Sequence, residues 1–343
     1  MKNQSNISRR KSDHLTINST ENVKSSNTTG LEKFRLIHCA LPEIDYPAIN
    51  TEIELFGKSL SMPFMISSMT GGTDQAFKIN ILLAEAAQEF GAAMGVGSQR
   101  IGIEQPEKMH SFEIRKYAPD ILLLANLGAV QLGKSFSIND CKKAVDTIGA
   151  NALILHLNPL QEALMVDGDS NFSGLLGKIE NVCIKLDVPV IIKEVGWGIS
   201  ADIAKKLVSA GVSAIDVAGA GGTSWSEVER FRSSDPIAIS VANGFRDWGI
   251  PTAEAIVEIR ESLPDIPLIA SGGLRDGVDI VKCLALGAQI GAIARLILIA
   301  AMKSESELDL LLTVLSRQIK TAMFAIGVSQ INQISSNHIV RIN

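Results

Sequence analysis

The chain has 343 residues, 46% of them apolar and 20% charged, with a formal net charge of −5. That is a globular composition, long enough to bury one large core or two small ones. The negative balance excludes a generally basic nucleic-acid binder, which needs a positive face against phosphate, and 5% aromatic residues leave no extended base-stacking platform.

Residues 1–35 are rich in Ser, Asn, Thr and Lys, with no apolar run. They read as a flexible N-terminal arm, not a secretory signal, ahead of a domain over 36–343. The arm's one concentrated feature is Arg9-Arg10-Lys11, followed by Asp13 and His14. Cys39, Cys141, Cys183 and Cys283 stand far apart with no CxxC pair. They read as buried free thiols of a reducing compartment rather than a zinc or redox motif.

From Pro63 onward the chain alternates short apolar runs with helical patterns. The runs are 63–68, 92–97, 121–126, 152–158, 188–195, 213–219, 266–273 and 289–294. Each is continuously apolar rather than alternating, as in parallel strands buried on both faces. Between them the spacing predicts helices over 80–90, 138–148, 200–210, 252–263 and 277–286, most of them stopped by Gly or Pro. Eight strand–helix units predict an α/β fold, a single (β/α)8 TIM barrel. A doubly wound sheet is the alternative, but it gathers ligands at one switch point, whereas here nearly every run ends in polar or glycine residues. The long connection 219–252 reads as a lid or insertion, and 305–327 as a closing amphipathic helix. The apolar stretch 288–302 is interrupted by Arg295 and is too short for a bilayer, which needs about 20 residues. The expectation is a soluble, cytoplasmic protein with neither membrane nor nucleic-acid partners.

In a barrel the chemistry collects at the C-terminal strand ends. Gly272-Gly273 with Arg275, and Ala294 with Arg295, stand after the last two strands, where backbone amides commonly hold a phosphate. Lys193 closes the apolar run VIIK and must face the barrel mouth or suffer desolvation. It suits an anionic ligand such as a reduced flavin, with a Schiff-base lysine as the rival reading. His156, Asn158, Gln161 and Glu162 form the densest polar cluster. A lone carboxylate such as Glu162 suits Mg²⁺ shared with phosphates, or is simply an acid favoured by a helix start. No second His or Cys stands at zinc spacing.

These residues resemble a known family, the FMN-dependent type 2 isopentenyl-diphosphate delta-isomerases. The matching segments are RRKSDH (9–14), SSMTGG (67–72), GSQR (97–100), ANLG (125–128), HLNPLQE (156–162), KEVGWGIS (193–200), AGAGGTSW (218–225), DWGIPT (247–252) and ASGGLRDG (270–277). The resemblance implies that reduced FMN, acting through N5 as an acid/base, interconverts isopentenyl and dimethylallyl diphosphates with Mg²⁺ and without net redox. NADPH is the implied flavin reductant, and a homo-oligomer, tetramer or octamer, the implied assembly. FMN would be held by Ser67, Ser68, Met69, Thr70, Ser98, Asn126, Lys193, Thr223, Gly272, Gly273, Leu274, Arg275, Ala294 and Arg295. Arg10, Lys11, Ser98, Gln99, Arg100 and Gln161 would hold the substrate, His156, Asn158 and Gln161 would form the catalytic set, and Glu162 would hold Mg²⁺. One departure stands out. Where the family often reads GDRDF, this chain has Gly168-Asp169-Ser170-Asn171-Phe172, which weakens the expectation of a salt bridge in that loop.

Two other readings remain. An FMN barrel oxidoreductase acting on a 2-hydroxy acid needs a His–Arg pair near the sixth strand, and AGAGGTSW carries no His. A flavin- or isoprenoid-diphosphate-binding sensor would have no use for Gln161, Glu162 and Lys193 together.

Overall fold

Each of the eight apolar runs supplies one strand of a closed, all-parallel barrel. The computed structural model describes residues 13–342. The strands are β1 (Phe64–Ile66), β2 (Ala93–Gly95), β3 (Leu123–Gly128), β4 (Ala152–His156), β5 (Val190–Lys193), β6 (Ala214–Asp216), β7 (Leu268–Ser271) and β8 (Ile290–Ile293). They follow chain order around the barrel, and β8 closes on β1.

Alternate residues of each strand serve two cores. Met65, Ala93, Leu124, Ile154, Ile191, Ala214, Ile269 and Ile290 form one buried cluster in the barrel interior. Phe64, Ile66, Met94, Leu123, Leu155, Ile192, Ile215 and Leu268 belong to the larger cluster shared with the helices. Both strand faces are therefore buried, which is why the runs carry no polar alternation. The hairpin Ile53–Leu55 with Lys58–Leu60 adds Leu55 and Leu60 to the inner cluster and plugs the barrel's N-terminal end.

The long helices are α1 (Asp74–Phe90), α2 (Ile138–Ile148), α3 (Leu175–Lys185), α4 (Ala201–Ser209), α5 (Thr252–Ser262), α6 (Gly277–Ala285), α7 (Arg295–Lys303) and α8 (Glu305–Ala325). α1 starts at Asp74, ahead of the expected Asn80, because the Thr73 side chain accepts from Ala76 N and caps it. α3 escaped the periodicity reading, since Gly174 and Gly177 interrupt its start. Ser200 caps α4, its side chain accepting from Ile203 N. The 219–252 connection is an insertion built of two short helices, Trp225–Arg232 and Pro236–Asn243.

The 1–35 arm divides. Residues 1–12, including Arg10 and Lys11, lie outside the described residues. Residues 13–20 are helical, and the segment after them packs along the rim with Val23 and Leu31 fully buried. Ser25 N donates to Gly222 O and Ser224 N to Val23 O, which stitches this strap to the β6 loop. Phe34–Leu36 then pairs antiparallel with Ile339–Arg341. All four cysteines are free, but only Cys141 and Cys283 are buried; Cys39 and Cys183 are part-exposed. No helix among the described residues is long and apolar enough to cross a membrane.

Phe64 is the bulkiest kind of side chain in the outer core and is fully buried. Phe64→Ala should lower stability by about 3–5 kcal/mol, read as a fall in the urea midpoint with the native fold retained below it.

Candidate active site

Register sets the site. Gly128 pairs with His156, His156 with Lys193, and Lys193 with Asp216, so the ends of β3 to β6 stand level at the rim. Above them opens a cavity of about 720 Å³. Every expected FMN residue faces it: Ser67, Ser68, Met69, Thr70, Ser98, Asn126, Lys193, Thr223, Gly272, Gly273, Leu274, Arg275, Ala294 and Arg295. So do Arg100, His156, Asn158, Gln161 and Glu162. Gln99 does not. It is fully buried, its Nε2 donating to Ala144 O and its Oε1 accepting from Asn126 N. Its side chain ties the β2 loop to α2 and to β3 behind the wall.

Lys193 is held by two partners. Its Nζ donates to Ser271 Oγ at 3.0 Å and stands 3.1 Å from Asp216 Oδ2. Ser271 in turn donates to Asp216 Oδ1. Asp216 is fully buried, and an ammonium in such a place needs a counter-ion. Asp216 interrupts the apolar run SAIDVAG (213–219) as plainly as Lys193 closes VIIK, and it was not among the expected site residues.

A second network runs along the loop after β4. Asn158 Nδ2 donates to Gln161 Oε1 at 3.0 Å and to Glu162 Oε1 at 2.9 Å. Gln161 Nε2 donates to Glu229 Oε1 at 3.1 Å, and His14 Nε2 stands 3.1 Å from the same oxygen. Burial alone would raise the Glu229 carboxyl; the His14 contact, the Arg232 guanidinium and the Gln161 amide outweigh it and hold it at about 2. His156 Nδ1 donates to Asn126 Oδ1 at 2.8 Å, which sets the ring's tautomer when it is neutral. His14, Trp225, Glu229 and Asp216 are the residues the sequence reading missed. Trp225 and Glu229 sit four apart, on one helix face, and the His14 ring packs edge-on to Trp225 at 5.0 Å.

Glu194 supports the next loop. Its Oε2 accepts from the amides of Val195, Gly196 and Trp197 at 2.7, 2.7 and 2.6 Å, while burial pushes its carboxyl up to about 7.

The phosphate end is built of backbone. Gly272 and Gly273 have φ of 102° and 79°, a conformation that favours glycine. A Cβ on Gly272 would lie 2.1 Å from Gly219 O, so this corner closes only without side chains. Beside it α7 begins at Ala294 with no side chain capping its first amides. An uncapped helix start next to a glycine corner fits a phosphate. Arg275 and Arg295, which face the cavity, also hold protein partners: Arg275 Nε donates to Asp279 Oδ2 at 3.0 Å, and Arg295 donates to Asn18 O and Glu21 O, clamping the strap.

FMN fits this chamber: a buried cation, a glycine corner beside an uncapped helix start, and Ser68 Oγ buried on the wall without a partner. A divalent cation fits on narrower terms. Among the described residues no group of three His, Cys, Asp or Glu side chains is placed to hold one. Glu162 would be its single carboxylate, beside the unpartnered Asn158 Oδ1, with phosphate and water completing the shell. The loop at 168–172 does carry salt bridges, contrary to expectation: Asp169 pairs with Arg100 at 2.9 Å and with Lys134.

The sequence profile of the FMN-dependent dehydrogenases matches residues 4–111 and 161–341. An isopentenyl-diphosphate delta-isomerase of Nostoc sp. is 51% identical, covering 95% of this chain and 93% of its own. That of Oceanobacillus iheyensis is 44% identical over 98% of this chain and 97% of its own, and that of Rickettsia africae 47% identical over 93% of each. Among solved structures, an (S)-mandelate dehydrogenase shares the fold with a TM-score of 0.68 at 18% identity, covering 96% of this chain and 98% of its own. A mandelate oxidase variant with an FMN monooxide adduct does so at 0.65 and 21%, covering 96% and 91%. The chain thus belongs to the isopentenyl-diphosphate delta-isomerase family, on the barrel of the FMN-dependent dehydrogenases.

Proposed function

We propose that this chain interconverts isopentenyl diphosphate and dimethylallyl diphosphate, with FMN in the barrel mouth and Mg²⁺ between Glu162 and the diphosphate. The observation that carries the reading is the network of Glu162, Asn158 and Gln161 on the cavity wall, with Glu229 behind Gln161. It sets a metal-suited carboxylate beside a fixed amide. The loop after β6, from Ala218 to Thr223, contains no His, so the base that a 2-hydroxy-acid oxidoreductase would need there is missing.

Bound and reduced, FMN would supply acid/base capacity for adding a proton at the terminal alkene carbon and removing one from the allylic carbon. The chain supplies the rest. Lys193, kept by Asp216 and Ser271, offers a fixed positive charge to an electron-rich ring. The Gly272–Gly273 corner and the α7 start take the flavin phosphate. The hydrocarbon part of the substrate offers no polar handle, so affinity comes from the diphosphate through Arg100, Glu162-bound metal and the basic residues Arg10 and Lys11. Glu229 holds the Gln161 amide, whose geometry then orients the reacting end, with His156 and Asn158 beside it. The strap over the cavity limits water, which would quench a cationic centre. NADPH as reductant, a homo-oligomeric state and a cytoplasmic location complete the reading; the four free cysteines support a reducing compartment.

Two substitutions test it. Lys193→Ala should weaken FMN binding by about tenfold or more, roughly 1.4 kcal/mol, and abolish turnover; apoprotein titration with FMN reads the first. Unchanged FMN affinity would remove Lys193 from the flavin site. Glu162→Gln should abolish Mg²⁺-dependent isomerisation while FMN stays bound, and surviving activity would refute the metal assignment.

A further inference from the structure

Three cavity-lining residues converge on one that does not line the cavity. Arg100 Nη1 donates to Asp169 Oδ2 at 2.9 Å, and Gln131 Nε2 donates to the same oxygen at 3.1 Å. Asp169 N donates to Glu162 Oε2 at 2.6 Å. Arg100, Gln131 and Glu162 face the cavity, and Asp169 stands behind them. Lys134 binds the other carboxylate oxygen from the solvent side. The loop reaches Glu162 only because residue 168 is glycine: a Cβ there would lie 1.8 Å from Glu162 O. Ser170 and Asn171 are neutral, so Asp169 is the one acid between 168 and 172.

We propose that Asp169 is a positioning residue for the diphosphate site, holding Arg100 and Gln131 by its side chain and Glu162 by its amide. The chemistry is directional. A carboxylate accepts and does not donate, so the Gln131 NH₂ turns to Asp169 and its carbonyl turns away. Gln131 Oε1 is left buried and without a partner, an acceptor that a donor from a ligand or a metal-bound water would satisfy. Arg100 has one other carboxylate partner, Glu104, at 2.8 Å and nearer the surface, with 29% of its side chain exposed against 10% for Asp169. Asp169 therefore draws the guanidinium inward, and without it the pair with Glu104 would draw it out. One residue thereby fixes an anion-binding cation and a metal-suited carboxylate in constant relation.

The inference rests on the diphosphate reading above, and the test separates the two. The FMN holoprotein is titrated with inorganic pyrophosphate and Mg²⁺ by calorimetry, and KM and kcat for isopentenyl diphosphate are measured alongside. Asp169→Asn should weaken pyrophosphate binding and raise KM by about tenfold each, with kcat within about threefold and FMN affinity unchanged. Asp169→Glu, which keeps the carboxylate, should recover most of the loss. In the Arg100→Ala background, Asp169→Asn should add little, because the two act as one unit. Unchanged or tighter pyrophosphate binding in Asp169→Asn, losses that multiply with Arg100→Ala, or loss of FMN would each overturn the assignment. Pyrophosphate binding that depends on Asp169 in a protein that does not isomerise would sink the function reading alone. Isomerisation indifferent to Asp169 would sink this inference alone.

Discussion

A buried carboxylate accepts hydrogen bonds and donates none, and that asymmetry orients the mouth of this barrel. Asp216 fixes Lys193 and Ser271. Glu162 fixes Asn158, whose amide then fixes Gln161, and Glu229 takes the far end of Gln161. Asp169 repeats the arrangement with Arg100 and Gln131. Each amide has one allowed orientation because the acid beside it offers no proton. Unpaired, these groups would carry a heavy desolvation penalty; paired, they form a rigid polar wall.

The barrel makes such a wall possible by separating its tasks. The inner cluster and the hairpin plug close one end, and the outer cluster holds the helices. The other end is then free to carry charge. Next to Ser271, the corner of Gly219, Gly222, Gly272 and Gly273 brings backbone against backbone. Polar side chains and bare backbone together suit a ligand that carries both a ring held by a cation and a phosphate. The strap from 13 to 33 covers both, tied down by Arg295 and by the β6 loop.

The barrel was legible because all eight strands are buried on both faces and so appear as unbroken apolar runs. Lys193 and the 156–162 cluster were legible for the complementary reason, as charge and polarity where apolar residues were due. Gln99 was misplaced because neighbours in sequence need not share a face: Ser98 and Arg100 face the cavity, while Gln99 turns to Ala144 and Asn126. The contact of His14 with Glu229 spans 215 positions, and no local pattern announces a pairing at that distance. The loop at 168–172 lost two charges relative to the family pattern, yet Asp169 alone gathers Arg100, Lys134 and Gln131. Which charge a loop retains decided that outcome, not how many.

The fold is shared with an (S)-mandelate dehydrogenase at 18% identity and a mandelate oxidase variant at 21%, and what sets the proposed reaction apart is use of the flavin site without net redox. The direct measurement is an anaerobic assay with isopentenyl diphosphate, Mg²⁺ and FMN, following dimethylallyl diphosphate and NADPH together. Isomerisation without net redox predicts product only when FMN is reduced, with NADPH consumption ceasing once the flavin is reduced while product continues to form. NADPH consumed in step with turnover, or a yellow FMN-bound protein that makes no product, would contradict it.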